Sequence, residues 1–429
     1  MVFDAKTLAA RRARVATALP LTNEILLVGA GDPIPLPEGT DQTYPFRAHA
    51  EYFYLTGLEC PRGVVAYDPR GGPTDGWVSL VPEVTEAERV WEGRSQPPGE
   101  SLETFDAWLA ARAGRPIAAL GAAIPGVKGD PELSATIRPH FHHARRPKDP
   151  AELALLRRTA TATAAGYAAV RLGLRAGVSE RALQIELEAA FFRAGATRTG
   201  YGTIVGSGPN SAVLHFDPSS RVTREGEFVL IDAGAEIDRY VCDVTRTYVV
   251  GGRPTAFQRD LYQIVLAAEK NAVAACRPGV EWKELHLRCA TEMMDGLASM
   301  GVVRGSGQSL VAQDAHTLFF PHGLGHLVGL GVRDASGTLL NRPKDPSPSL
   351  RTLRCDLPLA PGYVITVEPG LYFIPPLLND PSRRAKYRDV VNWPLVDQHL
   401  DLGGVRIEDN VLVTEDAPEV LTAAIPKEL

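Results

Sequence analysis

The sequence has few cysteines, and it does not space them as pairs. Among its 429 residues there are five, which lie far apart and form no C-x-x-C motif: Cys60, Cys242, Cys276, Cys289 and Cys355. This pattern argues against a disulfide framework and against a thiolate zinc site. We therefore expect a reduced, cytoplasmic protein.

Long apolar segments and an excess of cations are also missing. The first twenty residues lack the apolar core of a secretory signal, and no run of about 18 apolar residues occurs in the chain. The 51 Asp and Glu residues outnumber the 45 Lys and Arg residues, which gives a formal net charge of −6. Because phosphate contacts need a surplus of Lys and Arg, we expect neither a nucleic-acid nor a membrane partner.

Several common catalytic motifs are absent as well. Gly29-Ala30-Gly31 lacks the third glycine of a dinucleotide fingerprint, and Pro33 disfavours a helix directly after it. His322 is not followed by Glu, so the H-E-x-x-H zinc-protease motif is missing. The chain contains neither a Gly-x-Ser-x-Gly elbow nor a phosphate-binding loop of the G-x-x-x-x-G-K type.

What is present predicts two globular domains of mixed α and β structure, 1–147 and 148–429. In the first we expect helices around Leu8 and over 101–113, and strands over 24–28, 51–58, 63–67 and 77–81. The polar stretch His140–Pro147 is interpreted as an exposed linker, with surface metal binding as the alternative. Asp149-Pro150-Ala151-Glu152 then has the N-cap, proline and acidic first turn that begin a helix.

The second domain alternates helical and extended patterns. Predicted helices span 149–174, 179–195, 255–275 and 280–300, and predicted strands span 201–207, 227–235, 240–250, 363–373 and 405–414. The segments 334–360 and 374–402 are predicted to be irregular loops.

Two of these strands each carry a carboxylate in apolar surroundings. Asp232 follows Phe228–Ile231, and Asp243 lies in a strand that begins after Arg239. A two-residue turn at Ile237-Asp238 would place Asp232 opposite Asp243, with Cβ atoms about 4.5–5.5 Å apart. Facing like charges raise a carboxylate pKa unless a cation lies between them. The alternative is a pair of solvent-facing acids on a hairpin.

Further candidate ligands lie later in the chain. Glu368 is the single acid at the end of an apolar strand, and Glu408 shares a strand face with Arg406. Glu408 could also form a simple surface pair with Arg406. His326 lies in an apolar, glycine-containing stretch, where an imidazole is more commonly a core residue than a ligand.

Together these residues indicate a metal centre. Four carboxylates on apolar segments are too costly to bury without a cation. Oxygen ligands with one imidazole suit Mn²⁺, Co²⁺ or Zn²⁺, and four acids can hold two ions. Two neighbouring ions can hold a hydroxide and stabilise a tetrahedral oxyanion, which is hydrolase chemistry.

At these residues the sequence resembles the pita-bread metallopeptidases that cut beside proline, namely prolidase (Xaa-Pro dipeptidase) and Xaa-Pro aminopeptidase. Five motifs occur in the family's order: Ile231-Asp232-Ala233-Gly234, Asp243-Val244-Thr245-Arg246-Thr247, His322-Gly323-Leu324-Gly325-His326, Val367-Glu368-Pro369-Gly370 and Arg406-Ile407-Glu408-Asp409. The stretch from Phe46 to Gly57 is similar to the family's N-terminal creatinase-like domain. The resemblance implies an α+β architecture, with a smaller α/β domain before a pita-bread catalytic domain.

The resemblance also implies roles for single residues. It implies two divalent metal ions per chain, with Mn²⁺ expected and Zn²⁺ or Co²⁺ as alternatives, held by Asp232, Asp243, His326, Glu368 and Glu408. The implied catalytic residues are Glu368, which passes a proton to the leaving proline nitrogen, His215 and His322. Arg333 is a further catalytic candidate, because it stands where the family usually has a second catalytic-region His. The implied substrate-binding residues are His215, Arg354, Arg351, Tyr372 and Arg406. A homodimer is also expected.

The segment 349–355 and the long loop before Gly403 are more similar to prolidase than to aminopeptidase P. The expected reaction is therefore hydrolysis of Xaa-Pro dipeptides by a metal-bridging hydroxide. Two alternatives are an Xaa-Pro aminopeptidase that acts on longer peptides and a non-catalytic binding module. Arg333 departs from the family, which usually has His before the acid that is Asp334 here. Arg333 could hold an oxyanion or a substrate carboxylate, or pair with Asp334.

Overall fold

The computed structural model describes residues 2–37, 39 and 42–429. The chain divides into one unit that ends at Arg145 and a second unit, Arg146–Leu429. Among the described residues, no helix is both long enough and apolar enough to cross a membrane. All five cysteines are buried free thiols.

The first unit is built on one mixed sheet with strand order β4-β3-β2-β1-β5. Its strands are β1 Ile25–Gly29, β2 Val64–Tyr67, β3 Trp77–Val81, β4 Glu100–Ser101 and β5 Ile117–Gly121. Its helices are α1 Ala5–Ala18, α2 Ala50–Thr56, α3 Gly72–Asp75, α4 Glu86–Glu92, α5 Phe105–Ala110 and α6 Pro131–Arg145. The strands predicted over 24–28, 63–67 and 77–81 are thus confirmed, as are helices near Leu8 and within 101–113.

The strand predicted over 51–58 is wrong, because this segment forms helix α2. The helix begins after His49, whose side chain accepts a hydrogen bond from the Glu51 N–H group, and ends at Gly57 with a positive φ of 64°. Every residue from Glu51 to Thr56 is buried. A segment that is buried on all sides has no helical stripe of polar residues, so its periodicity does not separate helix from strand.

The exposed linker predicted over 140–147 is also wrong. His140–Arg145 forms the end of helix α6, in which Ile137, Phe141 and Ala144 are buried. These three residues lie four and three positions apart, which places them on one helical face. Arg145 is buried on this face too, so a polar residue type did not indicate exposure here.

The second unit confirms the four long helices that the sequence predicts. Its helices are α7 Pro150–Gly173, α8 Glu180–Arg193, α9 Ala256–Ala274, α10 Trp282–Ser299, α11 Gly307–Ala312, α12 Pro375–Leu378, α13 Pro381–Lys386 and α14 Trp393–Asp397. Helix α7 begins with a capping box between Asp149 and Glu152. The last three helices lie in the segment predicted to be an irregular loop.

Short antiparallel sheets carry the rest of the second unit. Its strands are β6 Arg198–Thr199, β7 Ile204–Ser207, β8 Phe228–Asp232, β9 Ala235–Ile237, β10 Tyr240–Val241, β11 Thr245–Val249, β12 Gly337–Thr338, β13 Cys355–Asp356, β14 Val364–Val367, β15 Gly370–Tyr372, β16 Gly404–Arg406, β17 Asp409–Leu412 and β18 Glu419–Val420. The sheet orders are β10-β9-β6, β11-β8-β7, β14-β17-β18 and β15-β16, and β12 pairs with β13 in parallel. Helices α9 and α10 pack on these sheets through an apolar core that includes Val265, Met293, Ile365 and Val411.

The hairpin register differs from the predicted one by one turn position. The turn residues are Asp238 and Arg239, both with positive φ, so Asp232 pairs with Thr245 and not with Asp243. A branched Ile237 suits this left-handed turn poorly, whereas Asp tolerates it. Each residue thus pairs two positions further along the partner strand than predicted. Because side chains alternate with a period of two, each one stays on its predicted face of the sheet.

Candidate metal centre

Four of the five predicted metal ligands lie where strands of the second unit end or break. Asp232 ends β8, Asp243 lies between β10 and β11, Glu368 lies between β14 and β15, and Glu408 lies between β16 and β17. His326 is in a loop that bridges to β14, where its N–H group donates to the Thr366 hydroxyl over 3.0 Å. Strand ends bring side chains of distant sequence positions to one sheet edge.

Three of these side chains already lie within the reach of one ion. Ligand atoms of Asp243, His326 and Glu408 all lie within 4.8 Å of one another. Nε2 of His326 is 3.4 Å from Oδ2 of Asp243. Nδ1 of His326 is 3.1 Å from the Leu327 carbonyl oxygen, to which it can donate. That bond leaves the Nε2 lone pair free for a metal.

Asp232 and Glu408 are held by hydrogen bonds from neighbouring side chains. Tyr201 donates its hydroxyl to Oδ1 of Asp232 over 2.6 Å, and Nη2 of Arg406 lies 2.6 Å from Oδ2. Thr245 donates its hydroxyl to Oε2 of Glu408 over 2.6 Å. Such bonds fix the orientation of carboxylates that face an ion.

Glu368 lies beside two imidazoles. Its Oε1 atom is 3.8 Å from Nε2 of His326, and its Oε2 atom is 3.9 Å from Nδ1 of His322. The Glu368 N–H group donates to the Leu324 carbonyl oxygen over 2.8 Å, which ties the strand end to the histidine loop. Glu368 is therefore close enough to share an ion with His326.

The electrostatics of the site fit a bound cation. Burial, reinforced by the Asp232 charge, raises the pKa of Asp243 well above its usual range, and burial with the Asp243 charge does the same for the pKa of Glu408. Burial raises the pKa of Glu368 to about 7. Burial lowers the pKa of His326 to about 4, so this imidazole is neutral near pH 7. Neutral imidazole and crowded carboxylates are the donor set that a hard or borderline divalent ion prefers.

Two cavities meet at these ligands. The larger cavity, of about 410 Å³, is lined by the five candidate ligands and by Tyr201, Gly202, Ile204, His215, Phe216, Asp217, Val332 and Arg333. The smaller cavity, of about 170 Å³, shares His215, Asp232, His326, Arg333 and Glu368 with it and adds Leu214, Pro321, His322, Gly323, Gly325, Thr352, Arg354 and Arg406. The predicted residues His215, His322, Arg333 and Arg354 thus all face the candidate centre.

Arg406 and Tyr372 belong to a hydrogen-bonded chain beside the ligands. Arg406 directs Nη2 to Asp232, Nη1 to the Tyr372 hydroxyl over 2.8 Å and Nε to the Thr245 hydroxyl over 3.0 Å. Nε2 of His322 lies 2.8 Å from the same Tyr372 hydroxyl. Arg406 therefore contacts Asp232 and not Glu408, and its geometry is that of a residue that positions a candidate ligand.

The two arginines of segment 349–355 occupy different places. Arg354 is exposed and lines the smaller cavity, whereas Arg351 lines neither of the two cavities. Asp334 is buried against Lys148, with 3.0 Å between Nζ and Oδ2. Arg333 is exposed at the junction of the cavities, and within 2–37, 39 and 42–429 no ion pair involves it. The alternative pairing of Arg333 with Asp334 is therefore wrong.

Sequence reasoning missed Tyr201, Thr245, Glu180 and Asp217. Tyr201 and Thr245 contact ligands, but an isolated tyrosine or threonine carries no sequence signal of such a role. Glu180 is fully buried and accepts hydrogen bonds from Ser207, Asn210 and Ser219, on both sides of the segment that carries His215. Asp217, two residues after His215, is an exposed carboxylate on the wall of the larger cavity.

Each of the two units matches a known protein family. Residues 154–415 match the family described as metallopeptidase family M24, and residues 8–124 match the N-terminal domain of aminopeptidase P. A probable Xaa-Pro aminopeptidase of Botryotinia fuckeliana is 32% identical over 411 residues, which are 90% of this chain and 87% of that protein. A probable Xaa-Pro aminopeptidase of Coccidioides posadasii is 32% identical over 421 residues, 91% of this chain and 88% of that protein.

Solved structures of similar architecture are bacterial aminopeptidases. The Pseudomonas aeruginosa aminopeptidase PepP is 27% identical, with a TM-score of 0.78 over 100% of this chain and 97% of that chain. Escherichia coli aminopeptidase P with the inhibitor Pro-Leu is 27% identical, with a TM-score of 0.79 over 99% of this chain and 96% of that chain. The expected pita-bread architecture with a smaller N-terminal domain is confirmed.

Proposed function

Because this chain belongs to metallopeptidase family M24, we propose that it is an Xaa-Pro aminopeptidase, which releases the first residue from peptides whose second residue is proline. The observation that carries the proposal is the convergence of His326 with four carboxylates on one cavity. The relatives that match nine-tenths of the chain are named Xaa-Pro aminopeptidase, and this name favours longer peptides over dipeptides. The sequence-based preference for a dipeptidase is unconfirmed.

We propose that the centre holds two divalent ions through Asp232, Asp243, His326, Glu368 and Glu408. Ions bound there would supply Lewis acidity toward the scissile carbonyl and lower the pKa of water. This ligand set suits Mn²⁺, Zn²⁺ and Co²⁺ alike. A Zn-substituted aminopeptidase P of Escherichia coli is among the similar structures.

The residues around the ligands then have separate tasks. Glu368 lines both cavities, so its carboxylate is in a position to carry a proton from the attacking water to the leaving proline nitrogen. His215 lines both cavities on an exposed segment and approaches the scissile carbonyl. Arg354, on the smaller cavity, binds a carbonyl or carboxylate on the C-terminal side of the proline.

Arg333 is the remaining cation of the site. Its charge acts on both His326 and Glu368. A guanidinium stays charged at every ordinary pH, so it cannot exchange a proton but can stabilise a developing oxyanion. We propose that Arg333 stabilises the developing oxyanion.

The test is chelation followed by addition of single metals. We expect the chelated protein to cleave nothing, and Mn²⁺, Co²⁺ or Zn²⁺ to restore release of alanine from Ala-Pro-Ala but not from Ala-Ala-Ala. Ala-Pro is the control substrate for the dipeptidase alternative, which would be supported by a higher kcat/KM for Ala-Pro than for Ala-Pro-Ala.

Glu368→Gln separates the proton role from the fold. We expect this variant to keep its fold by circular dichroism and lose at least a hundredfold in kcat, a loss in the usual range for general acid–base residues, about 10²–10⁴. Full turnover by this variant with metal still bound would disprove the proton role. A wild-type protein that binds no metal and cleaves no Xaa-Pro peptide would instead support the binding-module alternative.

A further inference from the structure

The two cavities share five lining residues, but their remaining walls differ in charge and polarity. The larger cavity adds the apolar side chains of Ile204, Phe216 and Val332 and the exposed carboxylate of Asp217. The smaller cavity adds the guanidinium of Arg354. A peptide that lies across the ligands therefore meets an acidic, apolar wall on one side and a basic wall on the other.

Asp217 is carried by an anchored segment. The preceding residue, Phe216, packs against a core cluster that contains Ile204 and Leu230. After the buried Pro218, Ser219 donates its N–H group to Oε2 of Glu180 over 3.1 Å and its hydroxyl to the same oxygen over 2.5 Å. The position of Asp217 at the cavity wall is thus fixed from both sides.

The carboxylate of Asp217 has no counterion in the part of the chain that the structure describes, residues 2–37, 39 and 42–429. It differs in this from Asp243 and Glu408 on the same cavity, which are 5% and 1% exposed and lie among candidate ligands. A lone carboxylate on a cavity wall is suited to bind a cationic group of whatever enters the cavity.

Covalent geometry indicates which part of a substrate reaches Asp217. The α-ammonium of the first residue is only two bonds from the scissile carbonyl carbon, so it stays near the buried ligands. The side chain of that residue points away from the carbonyl. A lysine or arginine side chain carries its cation at the end of an apolar stem, and Ile204, Phe216 and Val332 supply an apolar wall for such a stem.

We propose that Asp217 binds the cationic side chain of the first residue, so that peptides beginning Lys-Pro or Arg-Pro are preferred substrates. This inference rests on the proposed aminopeptidase function, because it assigns the larger cavity to the residue before proline. It makes Asp217 a specificity-determining residue for the released amino acid, with Ile204, Phe216 and Val332 as the wall against which the stem packs.

Arg333 is the competing partner for Asp217. It lines both cavities and so lies at their junction, whereas Asp217 lines only the larger one. A lysine side chain that extends along the apolar wall moves away from the junction. If Arg333 instead paired with Asp217 during the reaction, the loss of Asp217 would affect every substrate equally.

The test compares Lys-Pro-Ala with norleucine-Pro-Ala, because norleucine keeps the apolar stem and lacks the cation. For Asp217→Asn we expect kcat/KM to fall about fivefold for Lys-Pro-Ala, mainly through KM, and to stay unchanged for norleucine-Pro-Ala. Asp217→Glu should recover part of the preference. The matched control is Asp260→Asn, which changes an exposed carboxylate that lines neither cavity, and metal content is measured for each variant.

Equal losses for the two peptides in Asp217→Asn would overturn the inference, and so would no loss for either. If the wild-type protein cleaves neither peptide, the proposed function has failed. Titration calorimetry, which measures the binding of the two peptides, then tests the assignment of Asp217 independently of cleavage. In that measurement the wild-type protein should bind Lys-Pro-Ala more tightly than norleucine-Pro-Ala, and Asp217→Asn should remove the difference. A preference that persists in Asp217→Asn overturns the assignment.

Discussion

The Tyr372 hydroxyl lies 2.8 Å from Nε2 of His322 and is positioned to donate a hydrogen bond to it. Nδ1 of His322 is 2.9 Å from the Gly323 carbonyl oxygen, to which it donates, so Nε2 is the acceptor. Burial lowers the pKa of His322 to about 3, which keeps the imidazole neutral. The hydroxyl also accepts from Nη1 of Arg406, which continues the chain to Asp232.

Tyr372→Phe should interrupt this chain without removing bulk. We expect kcat for Ala-Pro-Ala to fall by about tenfold, because His322 and Arg406 each lose a buried partner and a lost partner costs about 1–3 kcal/mol. Metal content should be unchanged. The measurement is steady-state kinetics with metal analysis, and Tyr44→Phe, at a 48% exposed tyrosine, is the control. An unaltered kcat would show that the chain does not position the site.

Metal removal should destabilise the second unit. The proposed ions would bind the native ligand cluster and not the unfolded chain, so chelation should lower Tm, and a restoring metal that binds more tightly should raise it further. Differential scanning calorimetry with and without chelator measures the change.

Glu408→Gln supplies the matched variant for this measurement. Because the pKa of Glu408 is raised well above its usual range without metal, a neutral glutamine imitates its uncharged form. We expect the metal-free Tm to change little and the metal-induced increase to shrink strongly. A full metal-induced increase in this variant would contradict the assignment of Glu408 as a ligand.

The long amphipathic helices of the second unit were predictable because their signals are local. Asp149 and Glu152 form a capping box that the sequence shows directly, and the apolar period of α7 continues for 24 residues. Which side chains share a strand face was predictable too. Arg406 and Glu408 share Thr245 as a hydrogen-bond partner, whereas Asp409 contacts Arg246.

The predictions that failed concern features that depend on long-range contacts, which no local sequence pattern shows. The fully buried α2 has no polar stripe that would identify it as a helix. The hairpin register depends on which two residues accept positive φ, and here one of them is Arg239, an uncommon choice. Tyr201 bonds to Asp232 from 31 residues away, a distance that only the folded sheets close.

Lys427→Met should weaken the start of strand β17, directly after Glu408. Lys427 lies 2.7 Å from Oδ2 of Asp409 and 2.7 Å from Oε1 of Glu269, and its side chain is only 17% exposed. Loss of this cation removes the partner of the buried Glu269, whereas Asp409 keeps its ion pair with Arg246, so we expect a cost of about 2 kcal/mol in the free energy of unfolding. Urea unfolding measures the cost, and Lys270→Met, which removes an exposed lysine beside Glu428, is the control. Equal midpoints for the two variants would contradict the expectation.

Glu51 should make the stability of the first unit dependent on acid pH. Burial opposes its ionisation, but His142, the Gly121 N–H group and Arg138 outweigh burial and lower its pKa to about 2. A folded pKa below the ordinary value of 4.5 stabilises the folded state above pH 4.5, and this stabilisation is lost as the pH falls from 4.5 toward 2.

Glu51→Gln is the variant for this prediction. It should be less stable than wild type at pH 7, and the difference should narrow as the pH falls from 4.5 to 3. Urea midpoints across this range measure the narrowing, with Glu103→Gln, at an exposed glutamate, as the control. A difference that is independent of pH would show that the Glu51 charge is not what stabilises the unit.

Arg333 offers a test of oxyanion stabilisation in this centre. Arg333→Met keeps the stem and removes the charge, so kcat/KM for Ala-Pro-Ala should fall by about 10²-fold, as when an oxyanion donor is removed. Arg333→His should recover activity only where the imidazole is protonated, which adds a decline in kcat/KM above about pH 6.5. Wild-type activity should show no such decline from this position, because the guanidinium stays charged. The measurement is kcat/KM as a function of pH for the wild-type protein and the two variants, with the metal content of each protein determined. An Arg333→Met variant with wild-type kcat/KM would leave Arg333 as an exposed cation without a part in the reaction.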